Sequence, residues 1–169
     1  MVLVGEVLVV VDHRGVGNLK SKREKVKRIN TNSKNMGILI TPTTKVLVQG
    51  ITGKEGQKAS VAMREYGTNV VGGVRPGKGG ENVDGVLVFN SVAEALHTHP
   101  DISVTTVFVP PFAAKAAILE AIEAGIPQIN AIVERIPIKD TAYCLAAAKE
   151  KNIRIIGPSS LGYITHGVS

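Results

Sequence analysis

The sequence predicts an α/β fold, a single domain built on a Rossmann-like, doubly wound and mainly parallel sheet. Three observations predict it. Short β-branched runs alternate with stretches of helical period at the spacing of βα units. Several of those runs are apolar almost without interruption, as strands covered on both faces are. The first complete unit, Thr44 to Gly56, joins such a run to a turn with glycines at Gly50, Gly53 and Gly56, and a helical pattern follows.

Taken in order, Ile38-Leu39-Ile40 is a short apolar piece and Lys45 to Val48 the first strand. Gln57 to Tyr66 reads as the first helix, with Ala59, Val61, Ala62 and Tyr66 on its apolar face and Gly67 as its C-cap. Asn69 to Val74 is the second strand and runs into the loop Arg75-Pro76-Gly77-Lys78-Gly79-Gly80. Val86 to Phe89 is a short third strand. Ser91-Val92-Ala93-Glu94 has the form of a capping box and starts a helix through Leu96. Val104 to Val109 is a strand closed by Pro110-Pro111, which end a ladder and lead into the alanine-rich helix Phe112 to Ala124, stopped by Gly125. Gln128 to Val133 is a strand, Lys139 to Lys151 a helix and Ile153 to Ile156 the last strand, for five or six strands in all.

Composition narrows the function. At 169 residues, with 44% hydrophobic and 20% charged, the chain supports one domain with a substantial core. A single cysteine excludes an intramolecular disulfide and a multi-cysteine metal site, and Tyr143-Cys144-Leu145-Ala146 reads as a buried helix segment. No apolar run approaches the ~18 residues of a spanning helix, so no membrane partner is expected. The net charge of +6 is concentrated in residues 1 to 35, where eight Lys/Arg face three Asp/Glu; the remaining residues hold twelve against eleven. With 4% aromatics and no tryptophan, the body lacks stacking residues for single strands, so nucleic acid is not expected as a partner either. Residues 1 to 35 are read as a basic leader outside the fold, and residues 36 to 169 as the domain. In the leader positive charge follows the apolar run Met1 to Val11, the reverse of a secretory signal.

In an open parallel sheet ligands lie beyond the carboxyl ends of the strands. The turn Gly50 to Gly56 leaves backbone N–H groups at a helix N-terminus, where the helix dipole favours an anion, most naturally phosphate. Thr52 adds a hydroxyl and Lys54 a charge. After the second strand, an enzyme specific for NAD places a carboxylate on the ribose hydroxyl; Arg75 and Lys78 stand there instead, so the ligand is expected to carry a phosphorylated ribose. NADP and coenzyme A both qualify. The loop at Pro110 and the carboxylate Glu134 complete the candidates. His97-x-His99 offers two ligands without a third and is read as surface, with no metal expected.

Several segments in order resemble the amino-terminal coenzyme A-binding domain of the α subunit of succinate–CoA ligase, also called succinyl-CoA synthetase. They are V-L-V-Q-G-I-T-G-K-E-G from Val46, Y-G-T-N-V-V-G-G-V-R-P-G-K-G-G from Tyr66, V-F-N-S-V-A-E-A from Val88, F-V-P-P-F from Phe108, I-V-E-R-I-P from Ile132 and I-I-G-P from Ile155. The resemblance implies that Thr52, Gly53, Lys54 and Glu55 contact the coenzyme A phosphates and backbone, Lys78 its phosphorylated end, and Ile132, Val133 and Glu134 the opposite wall. It implies a β-subunit partner, succinate or another small carboxylic acid, an ATP/GDP-type nucleotide, and a cytoplasmic location, or the mitochondrial matrix in a eukaryote. The chain has Val133-Glu134-Arg135 where the family reads Thr-Glu-Gly, and Ser159-Ser160-Leu161 where it reads Asn-x-Pro. None of the four histidines lies in the family's phosphohistidine motif, so these residues by themselves are expected to be inactive. An NADP-dependent reductase and a non-enzymatic coenzyme A sensor are the alternatives. Met36-Gly37-Ile38-Leu39-Ile40 matches the usual start of such subunits, and a chain beginning at Met36 is expected to keep its fold and affinity.

Overall fold

The computed structural model describes residues 39–164; the leader, its boundary at residue 36, His13 and His166 lie outside the described residues. The elements are β1 Lys45–Gln49, α1 Lys54–Tyr66, β2 Asn69–Val74, β3 Asn82–Val83, β4 Val86–Phe89, α2 Val92–Thr98, β5 Ile102–Val107, α3 Pro111–Glu123, β6 Gln128–Ala131, α4 Ile138–Glu150 and β7 Arg154–Ile156. They form one seven-stranded sheet in the order β3-β4-β2-β1-β5-β6-β7. Every pairing is parallel except β3 with β4. From β1 the chain winds outward through β2 to β4, then returns across β1 and continues through β5, β6 and β7. The reversal leaves the crevice of a doubly wound sheet at the carboxyl end of β1.

The alternation of side chains along the strands divides the core. Leu47 packs with Phe89, Val92, Ile102 and Ile126, whereas its neighbour Val48 packs with Ile51, Val83, Val86 and Val88. Under α3 and α4 a third cluster joins Val107, Ile118, Ile122, Ile129 and Cys144. Burial pushes the Cys144 thiol up, so it serves as a protonated core side chain. The Lys115 ammonium on α3 meets Asp140 on α4 at 2.8 Å, which holds the lysine above its usual range.

The structure departs from the sequence reading in three places. The sheet gains β3, joined to β4 by Asp84-Gly85 with φ of 49° and 84° at the two residues, the left-handed pair of a type I′ turn. The contact face of α1 is also wider than its apolar residues: Ala59, Ala62 and Tyr66 line a cavity over the sheet, and small residues beside them make the close contact. Gly56 and Ser60 are its buried residues, while Tyr66 is 58% exposed. A Cβ on Gly56 would stand 3.0 Å from the Gly50 carbonyl carbon, so the helix is drawn against the strand end and small residues must occupy the contact. The same need for space explains Gly72 and Gly73 in β2: side chains there would meet the Phe89 ring and Ile51 respectively. Two strands are also shorter. The one predicted to reach Val109 ends at Val107, and that predicted to reach Val133 ends at Ala131.

Candidate functional site

The first loop is fixed at both flanks. The Gly50 N–H donates to the Val74 carbonyl at 2.9 Å, and the Phe108 N–H donates to the Gln49 carbonyl at 2.9 Å, so the end of β1 is clamped between β2 and the segment after β5. Gly50 has φ of 81°, and a Cβ there would overlap the Phe108 carbonyl group. The Gly53 N–H donates to the Gly50 carbonyl at 3.0 Å and closes the turn. Gly53 then stands at the N-cap of α1 without any side chain to satisfy the first-turn amides. Those of Lys54, Glu55 and Gly56 have no intrahelical acceptor, and they face the carboxyl edge of the sheet with the positive end of the helix dipole. Thr52 is half-buried in the turn, while Lys54 and Glu55 are exposed. Such an arrangement, made mostly of backbone, is suited to an anion.

The second loop follows the neighbouring strand, β2. It is laced to the end of β4: the Arg75 N–H donates to Phe89 and the Gly80 N–H to Val88, both at 2.9 Å. The Asn90 Oδ1 accepts from the N–H groups of Gly77 and Gly79 at 3.1 and 3.0 Å. The whole loop is exposed. Lys78 Nζ lies 2.7 Å from Glu81 Oε1, whereas Arg75 has no ion pair among the described residues.

The remaining candidates follow β5 and β6. Pro110 is exposed and caps α3, and Phe112 beside it is 88% exposed. Ile132 and Val133 diverge, as successive residues of extended chain must. Ile132 lines an apolar cavity of about 400 Å³ on the α1 side of the sheet, floored by Val104, Thr106 and Asn130. Val133 turns into the core under α3 and α4, and its carbonyl accepts the Ser159 N–H at 3.0 Å. Glu134 is exposed and without an ion pair to Arg135 or Arg154 among the described residues.

The candidate binding residues therefore sit on the segments after β1, β2, β5 and β6, at one edge of the sheet, with Lys54, Glu55 and Gly56 in the first turn of α1. Two neighbours were missed. Glu81 lies past the glycines of the second loop, and Asn90 follows β4; the signal for Asn90 was a strand-terminal amide facing a glycine-rich loop.

A protein-family model described as the CoA binding domain matches residues 41–135. Among curated relatives, the α subunit of an ADP-forming succinate–CoA ligase from Aquifex aeolicus is 47% identical over 137 residues, covering 78% of this chain and 44% of the relative. The α subunit of a malate–CoA ligase from Methylorubrum extorquens is 44% identical over 138 residues, covering 79% and 46%. The chain thus spans less than half the length of these relatives. Among solved structures, ATP citrate lyase from Methanothrix soehngenii, in complex with citrate and coenzyme A, superposes with a TM-score of 0.58 at 18% identity, over 70% of this chain and 21% of that one. That last likeness is one of fold.

Proposed function

Because this chain belongs to the CoA binding domain family, we propose that it binds coenzyme A at the carboxyl edge of its sheet as the cofactor-holding portion of an acid–CoA ligase α subunit. The observation that carries this reading is the placement of a side-chain-free helix N-terminus after β1 beside a loop bearing Arg75 and Lys78 after β2. Two phosphate-bearing parts of one ligand find two kinds of site there. The amides of Lys54, Glu55 and Gly56 hold the pyrophosphate, and the Lys54 ammonium adds charge. Arg75 and Lys78 take the ribose 3′-phosphate, while Ile132 and Glu134 flank the arm that ends in the thiol. NAD fits less well, since its ribose carries no phosphate for two cations to neutralise.

In the reaction proposed for the complete enzyme, the coenzyme A sulfur attacks the carbonyl carbon of an acyl phosphate, the C–O bond to phosphate breaks, the thiol proton ends on the departing phosphate and the thioester forms. The acid is succinate or a similar small carboxylate, with a nucleotide-dependent β subunit and a phosphohistidine supplying the acyl phosphate. The residues described here orient the thiol and neutralise phosphate.

Calorimetry with coenzyme A, 3′-dephospho-coenzyme A and NADP tests this. Coenzyme A is expected to bind tightest, and a preference for NADP would overturn the assignment. Lys78→Ala is expected to weaken coenzyme A roughly 5- to 10-fold while changing the dephospho form by less than about 2-fold. Equal losses for both ligands would reject the contact to the 3′-phosphate. Since Glu81 holds the Lys78 ammonium at 2.7 Å, it competes with the phosphate. Glu81→Gln is therefore expected to tighten coenzyme A by about 2- to 5-fold, the range of an exposed ion pair, and to leave the dephospho form unchanged.

A further inference from the structure

We infer that Asn90 is the positioning residue that sets the discrimination between coenzyme A and its dephospho form, acting through the Arg75–Gly80 loop; the inference rests on the proposed coenzyme A site. Arg75 and Lys78 are carried by a loop with three glycines, Gly77, Gly79 and Gly80, of which Gly77 and Gly80 have φ of 78° and 87°. Such a backbone has many alternatives to lose on ordering. One side chain restrains its tip. The Asn90 carboxamide oxygen accepts both the Gly77 and the Gly79 N–H groups, which bracket Lys78 in the chain. Both lone pairs of that oxygen are thereby used, and the backbone on either side of the lysine is tied to the end of β4.

Asn90 is itself fixed from behind. Its N–H donates to Glu94 Oε2 at 2.7 Å, and the Glu94 N–H donates to Ser91 Oγ at 3.1 Å, so the cap of α2 also sets the residue that holds the loop. The fit is close. A Cβ on Gly79 would stand 2.6 Å from the Asn90 carboxamide carbon, so Gly79 leaves the space in which that side chain lies. Gly79 thus serves Asn90, while the positive φ of Gly77 and Gly80 serves the turns.

The consequence is specific. The pyrophosphate cradle after β1 shares no hydrogen bond with Asn90, so loosening the loop acts on the 3′-phosphate alone. Asn90→Ala removes the shared acceptor, and Gly79→Ala displaces the carboxamide from the other side without requiring a positive φ. Calorimetry of each variant with coenzyme A and 3′-dephospho-coenzyme A gives the affinity ratio between the two ligands. Both variants are expected to reduce that ratio roughly 5-fold, toward the Lys78→Ala value, with the dephospho form bound within about 2-fold of wild type. Added to Lys78→Ala, Asn90→Ala is expected to leave the ratio where Lys78→Ala alone puts it, because the two act through one contact. A general structural defect would weaken both ligands together and would not spare the double variant. If wild type discriminates and Asn90→Ala and Gly79→Ala discriminate equally well, or if both ligands weaken in parallel, the positioning role is wrong and the site stands. If wild type binds neither ligand, the coenzyme A reading falls and this inference falls with it.

Discussion

Gly50→Ala is expected to destabilise the domain by roughly 2–5 kcal/mol and to abolish measurable coenzyme A binding. Two penalties coincide at this residue. Its φ of 81° lies in the left-handed region, which an alanine adopts only at a cost. Its absent Cβ is also the space taken by the Phe108 carbonyl group, whose carbon would lie 2.8 Å away. That carbonyl belongs to backbone held by the hydrogen bond from the Phe108 N–H to Gln49, so it cannot swing aside as a flexible side chain would. The turn after β1 and the segment after β5 would have to separate, and the amides of the proposed phosphate cradle would move with the turn. Gly67→Ala is the internal control. Gly67 has φ of 106°, but a methyl group there would meet nothing within 4 Å, so its replacement carries the dihedral penalty alone, about 1 kcal/mol, and spares binding. Urea denaturation of the two variants separates the effects, and an equal, small loss at both sites would disprove the close approach at Gly50.

Ile129→Ala is expected to cost about 2–5 kcal/mol as well, by a different route. Ile129 is fully buried in β6, paired with Thr105 on one side and Ile155 on the other, beneath α3 and α4. Truncating it to a methyl leaves a void between a sheet and two helices, none of which is free to collapse into it. The midpoint of denaturation should fall with no change in slope, the signature of lost stability at constant exposed surface. Ile129 is not among the residues proposed to hold the ligand, so the fraction that remains folded should bind coenzyme A within about 2-fold of wild type. A proportionate loss of affinity in that fraction would mean that β6 transmits its packing to Ile132–Glu134 more directly than the geometry indicates.

How much of the fold and site was legible from sequence depended on which physical signal each element carries. Strands such as Val46-Leu47-Val48, buried on both faces, announce themselves by an unbroken apolar run. The two-residue β3 has no room for a pattern; its only trace is Asp84-Gly85, a hairpin dipeptide between Val83 and Val86. On α1 apolar periodicity found only part of the contact face: Ala59, Ala62 and Tyr66 line the cavity over the sheet, whereas Gly56 and Ser60 beside them are buried against the strand end and carry no hydropathy signal. The proposed ligand edge carries its own signal, since glycines and cations gathered directly after successive strands suit a phosphate far better than they suit a core. The divergence of Ile132 from Val133 depended on where β6 ends and how the following chain returns along it, which no local pattern encodes. Asn90 belongs to the V-F-N-S-V-A-E-A segment, yet its role emerges only when the end of β4 is seen beside the loop that follows β2.

The two margins of the sheet bear on how this protein behaves in a crowded solution. Among the described residues, one margin is β3, two residues long and folded back antiparallel onto β4, and the other is β7, three residues long and beginning with the exposed Arg154. Neither offers a long, flat row of unpaired amides and carbonyls for a foreign strand to zip onto. Two aggregation-prone runs among the described residues, Val46 to Val48 and Val104 to Val107, lie at the centre of the sheet with partners on both sides. Among the described residues, intermolecular strand pairing therefore requires the middle of the sheet to open first, and the resistance of this part of the chain to amyloid-like assembly should track its unfolding free energy instead of the fraying of its borders.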